Sequence, residues 1–151
     1  MKNSKFKIQN WIRAFCIFNF VFLISCVTGS MPNLDEPQCA ESRDVVKKLY
    51  SFHFDNGMKF SPENLKLREK FLTAEFVKSL QNLPTENDVF TTDSADIPRA
   101  FRLSNCKVIE PTKTNIEVLL LWRDEKESRQ QIINAEVVKQ NDKWLVNKIL
   151  R

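Results

Sequence analysis

Apolar positions recur with a period near 3.6 between residues 40 and 83 and with a period of 2 beyond Ala100. Val45, Val46, Leu49, Tyr50 and His53 share one helical face and Asn56-Gly57 supplies a stop, which predicts a helix over residues 40–56. Ser61-Pro62-Glu63 offers the cap, first-turn proline and acid that open a second helix, although Leu65, Leu67, Phe71 and Leu72 fit one face only loosely. Thr73 caps a third, in which Phe76, Val77, Leu80 and Leu83 keep i, i+1, i+4, i+7 order until Pro84. Residues 84–99 are irregular, with Asp88, Asp93, Asp96 and two prolines.

In the second half, Ile116, Val118, Leu120 and Trp122 alternate with Glu117, Leu119, Leu121 and Arg123, so both faces are partly buried, as in an interior strand. Residues 101–109 predict an earlier strand whose alternation slips near Asn105, at a bulge. A charge-rich hairpin loop follows over residues 123–129. Segments 131–140 and 143–149 flank Asn141-Asp142, a pair that tolerates positive φ. A two-residue turn there sets Val137 opposite Val146, with Trp144 on their face. Helices followed by a four-strand antiparallel meander predict an α+β fold, the N-terminal helices packed on one face of a curved sheet.

The first residues follow a different pattern. Lys2, Lys5, Lys7 and Arg13 precede an apolar run from Ala14 to Ile24, with no acid before Asp35, the order of a secretory signal. As a helix that run spans about 16 Å, against about 30 Å of hydrocarbon, too short for a comfortable membrane span. Leu23-Ile24-Ser25-Cys26 closes it, and resembles the bacterial lipoprotein signal, or lipobox. The resemblance implies cleavage after Ser25 and acylation of Cys26, where two chains anchor stably and one does not. The alternatives are an uncleaved anchor or a plain secreted protein. Val27 stands where Asp retains many enteric lipoproteins in the inner membrane, so the analogy favours the outer membrane, with the domain in the periplasm. The expected organisation is a signal at 1–25, a tether at 26–38 and a single domain at 39–151.

Composition changes meaning once the signal is set aside. The whole chain has 23 basic and 19 acidic residues, but four of the basic ones lie in the signal, so the mature part carries 19 of each. Nucleic acid, which requires a concentrated positive field, is not an expected partner. Cys39 and Cys106 remain as a pair; in an oxidising envelope they would form a disulfide worth about 4 kcal/mol, or else stay two buried thiols.

One histidine excludes a multi-histidine metal site, and two glycines exclude a P-loop and a dinucleotide fingerprint. No metal or cofactor is expected. His53, beside Tyr50, is a candidate general base if paired with Asp88, Asp93 or Asp96; otherwise it is a core histidine bonded to backbone. Asp88, Asp93 and Asp96 with Arg99 bind a cation or a polar ligand or simply form turns and caps, and the calcium-loop spacing with its central glycine is missing. Tyr50, Trp122 and Trp144 line an aromatic pocket or belong to the core.

Four stretches carry a second resemblance: Val45-Val46-Lys47-Lys48-Leu49-Tyr50, Phe71-Leu72-Thr73-Ala74-Glu75-Phe76, Asp88-Val89-Phe90-Thr91-Thr92-Asp93 and Trp144-Leu145-Val146-Asn147-Lys148-Ile149. Their order resembles the nuclear-transport-factor-2-like cone, and more narrowly a family of uncharacterised bacterial envelope lipoproteins with that fold, over residues 40–150. The chain departs from that family at Val89, where proline is usual, and at Thr92, where glutamine is. The resemblance sets the loop of Asp88, Asp93, Asp96 and Arg99 at the mouth of the cone, and if the cone leaves an open pocket, Tyr50, His53, Asp88, Asp93, Arg99 and Trp122 are the residues expected to line it. It also implies a homodimer through the outer sheet face, where Leu119, Leu121 and Ile132 stand, unless a terminal segment covers them. The leading expectation is a lipid-anchored, non-enzymatic envelope protein that binds a partner protein or small ligand. The alternatives are a small envelope enzyme using Tyr50, His53 and an Asp, and an immunity protein against an envelope-acting toxin.

Overall fold

The computed structural model describes residues 36–56, 58, 61–81, 83, 88–92, 97–123 and 127–151; the signal, Cys26, Asp93 and Asp96 lie outside them. Three helices precede a four-stranded antiparallel sheet of order β1-β2-β3-β4, an α+β arrangement.

Helix α1 (Pro37–Asp55) opens with proline at its first turn, two residues inside the stretch read as tether. It ends at Asn56, whose backbone and side-chain N–H groups both donate to the Phe52 carbonyl, at 3.2 and 2.6 Å. Helix α2 (Pro62–Arg68) is capped by Ser61, whose hydroxyl accepts from the Asn64 N–H at 3.2 Å. A single 3-10 turn (Glu69–Phe71) leads to α3 (Ala74–Leu80), capped in the same way by Thr73. The third helix stops at Leu80, and Leu83, expected on its apolar stripe, is exposed.

The strands are β1 (Ala100–Glu110), β2 (Lys113–Arg123), β3 (Ser128–Gln140) and β4 (Lys143–Leu150). Asn141 and Asp142 take φ of 48° and 60°, the left-handed pair that a two-residue hairpin turn requires, and the resulting register sets Val137 opposite Val146. The slip near Asn105 is a register shift between Leu103 and Cys106, where the Asn105 side-chain oxygen accepts from the Cys106 N–H at 3.0 Å.

The core lies between α1 and one sheet face. Helix α1 touches all four strands, and Val46, Leu49 and Tyr50 meet Ile116, Val118, Leu120, Ile133, Val137 and Val146, all fully buried. Full burial of such side chains contributes roughly 1.5–3 kcal/mol each. A Cys39–Cys106 disulfide, with Cα atoms 5.9 Å apart, joins the first turn of α1 to the β1 bulge across 67 residues of sequence. The Thr73 N–H donates to the Val146 carbonyl at 3.0 Å, and Leu72 bridges Val146 in parallel, which ties the start of α3 to β4. On the other sheet face Leu119 and Leu121 are half-buried and Ile132 is 53% exposed.

Candidate functional site

Helical spacing places Val46, Leu49, Tyr50 and His53 on one stripe of α1, and the fold buries all four completely. A histidine there needs partners for both ring nitrogens. Nδ1 lies 2.9 Å from an Arg68 Nη2 and Nε2 lies 2.9 Å from Asp88 Oδ2. Arginine only donates, so Nδ1 accepts and the ring proton sits on Nε2, donating to the carboxylate. His53 thereby bridges a buried cation and an anion.

Arg68 is itself 0% exposed, a costly position for a charge. Its Nη1 donates to the Asn64 carbonyl at 2.7 Å, and its guanidinium lies between the rings of Phe52 and Phe90, 5.4 and 5.8 Å from their centroids. Desolvation pulls its pKa below the usual guanidinium value, partly countered by the Asp88 charge.

Asp88 holds a turn. Oδ1 accepts from the Phe90 N–H at 3.0 Å and Oδ2 from the Thr91 hydroxyl at 2.7 Å. Tyr50 donates to the Phe90 carbonyl at 2.7 Å, and burial, followed by the nearby Asp88 charge, pushes its hydroxyl far above the ordinary tyrosine pKa. Arg151 donates to the Thr91 and Val89 carbonyls at 3.1 and 2.9 Å. Residues 88–91 of the stretch predicted to be irregular are therefore pinned against the core, with Val89, Phe90 and Thr91 buried.

The structure brings Tyr50, His53 and Asp88 together, while Arg99 and Trp122 of the expected pocket stand in a different groove. Arg99 and Trp122 line a separate groove of about 780 Å³, with Phe54, Ile97 and Arg129. There Arg129, the cross-strand partner of Trp122, lays its guanidinium 4.6 Å from the indole centroid. Trp144 is buried as well, its indole N–H donating to Glu41 at 2.6 Å. Asp93 and Cys26 fall outside the described residues. The sequence reading missed Arg68, although Leu65, Arg68 and Leu72 share the i, i+3, i+7 stripe on which a basic residue is out of place.

A second groove of about 550 Å³ lies between α3 and β4, lined by the apolar Phe76, Leu80, Val89 and Ile149 and by the charged Glu75, Lys148 and Arg151. Its size suits a small ligand or an inserted side chain. Among the described residues no group of three or more His, Cys, Asp or Glu could hold a metal ion, and no helix is long and apolar enough to cross a membrane.

No family model matches the chain, and no curated protein does. The fold is similar to the crystal structure of a protein of unknown function from Bacteroides thetaiotaomicron VPI-5482, with a TM-score of 0.52 and 20% identity over 74% of this chain and 90% of that one. At that identity the likeness concerns the fold alone: this chain shares an α+β layering with the Bacteroides protein.

Proposed function

We propose that this chain is a lipid-anchored bacterial envelope protein whose domain, a nuclear-transport-factor-2-like cone, is a non-enzymatic module binding a partner protein or small ligand. The observation that carries the reading is the Cys39–Cys106 disulfide. Disulfides persist in oxidising compartments such as the periplasm, which agrees with Leu23-Ile24-Ser25-Cys26 as a lipobox. Helices ahead of an antiparallel meander, with α1 laid across all four strands, support the cone.

Binding is favoured over catalysis because both nitrogens of the only histidine are engaged and the ring is fully buried. A general base needs a nitrogen within reach of substrate. The groove between α3 and β4 offers an apolar floor with Glu75, Lys148 and Arg151 among its lining, and Arg151 donates to the carbonyl of Val89, another of its lining residues.

Intact mass of the protein extracted from its native membrane, beside Cys26→Ala, tests the reading. The expected mass begins at Cys26, includes acyl chains absent from the variant, and rises by about two daltons on reduction as one disulfide opens. An unacylated, full-length mass from the native host would overturn the anchor. Turnover of an envelope metabolite that is lost in His53→Ala would overturn the non-enzymatic reading.

A further inference from the structure

A groove of about 490 Å³ runs between α1 and the edge strand β1. Ala40, Arg43, Asp44 and Lys47 form its helical wall, at i, i+3, i+4 and i+7, and Phe101, Arg102 and Leu103 form the other. Arg43 is fixed in place, its guanidinium donating to the Ser104 and Leu103 carbonyls at 2.8 and 3.4 Å. Lys47 and Arg102 are exposed and have no ion-pair partner among the described residues. The one acid on the rim, Asp44, is already paired with Lys48 one turn on. Arg43 and Lys47 on α1, and Arg102 on β1, which pairs with Leu119 and so shares the outer sheet face, flank this edge from its two sides and make a local positive field on a chain whose residues 26–151 balance basic and acidic.

The groove lies close to where the chain enters the domain. Ala40 is three residues into α1 from Pro37, and the ten residues 27–36 that separate Cys26 from the helix reach at most about 36 Å. A tether that short holds a site at high effective concentration of whatever the anchor inserts into.

We infer that Arg43, Lys47 and Arg102 are a docking site for the phosphates of anionic lipid headgroups, which lays this edge of the domain on the membrane that carries its anchor. The inference rests on the lipid anchor proposed above. Opposite charge supplies the attraction, while Phe101 and Leu103 pack inward on the core and hold the edge strand that carries Arg102.

The test reconstitutes the lipidated protein in phosphatidylcholine vesicles, with or without phosphatidylglycerol, and reads energy transfer from its tryptophans to a dansyl-labelled lipid. Phosphatidylglycerol raises transfer, and 1 M salt, which cuts the Debye length to about 3 Å, abolishes the rise. Each basic residue at an anionic surface contributes about five-fold in affinity, so the Lys47→Gln, Arg102→Gln double variant docks roughly 25-fold more weakly. Both substitutions replace exposed side chains, and an unchanged Tm checks the fold. Transfer that ignores phosphatidylglycerol, or that responds equally in the double variant, overturns the docking site. Failure of the anchor has a different signature: the protein then does not remain on phosphatidylcholine vesicles at all.

Discussion

Each side chain in the buried network depends on the others. With Arg68 donating to Nδ1, 15N NMR of the His53 ring is expected to show a protonated Nε2 and an unprotonated Nδ1; the opposite tautomer would contradict the Arg68 contact. Arg68→Ala strands His53 and Asp88 and opens a cavity between Phe52 and Phe90, so urea denaturation should show a loss of about 3–5 kcal/mol. Arg68→Met, which refills the volume and removes the buried charge, should recover part of that loss. Glu136 is a separate, surface case. The Lys113 ammonium donating to it at 2.8 Å holds its carboxyl below the usual value of 4.5, against a smaller desolvation effect, with the Asn147 amide assisting. Because the folded value is the lower one, the stabilisation is full above pH 4.5 and disappears as pH falls through the folded value. The stability difference between wild type and Glu136→Gln should therefore shrink as denaturation is repeated at progressively lower pH below 4.5.

Among the elements, the short helices depend on their ends. Thr73 accepts from the Phe76 N–H through its hydroxyl, which itself donates to Asn147 Oδ1 at 3.0 Å, while its backbone N–H donates to β4. Thr73→Val keeps the shape and the backbone bond and loses the cap, and a denaturation midpoint should report a cost of about 1–2 kcal/mol. These ends were legible: Ser61-Pro62-Glu63, Thr73 and Asn141-Asp142 act through bonds to residues within a turn, so local sequence specifies them. The partner of His53 was not, because Arg68 and Asp88 stand 15 and 35 residues away in sequence and meet it only after the helices pack. Asp88 was among three carboxylates considered, and nothing local distinguished it from Asp93 or Asp96.

For the molecule as a whole, the disulfide matters most. It closes a 67-residue span, so replacing both cysteines by serine should lower stability by about 4 kcal/mol in the chain-entropy picture. Comparing urea midpoints of the double variant and the oxidised protein checks this; equal midpoints would mean that the bridge adds nothing to the folded domain. The same bond fixes α1 against β1, the two walls of the basic groove, so its loss should also weaken the vesicle response.

The sequence by itself determined the helical stripe of α1, the caps, the β2 alternation, the bulge near Asn105 and the Asn141-Asp142 register, because hydrophobic period and turn chemistry are local and the backbone must satisfy its hydrogen bonds nearby. Only the tertiary structure decided which polar residues meet. It placed Tyr50, His53 and Asp88 together with Arg68, sent Arg99 and Trp122 to another groove, and buried Val89-Phe90-Thr91 within a stretch whose sequence predicted only irregular chain. The physical reason is that buried polar groups must find partners wherever the chain's folding brings them, and that choice is made by packing across distant segments.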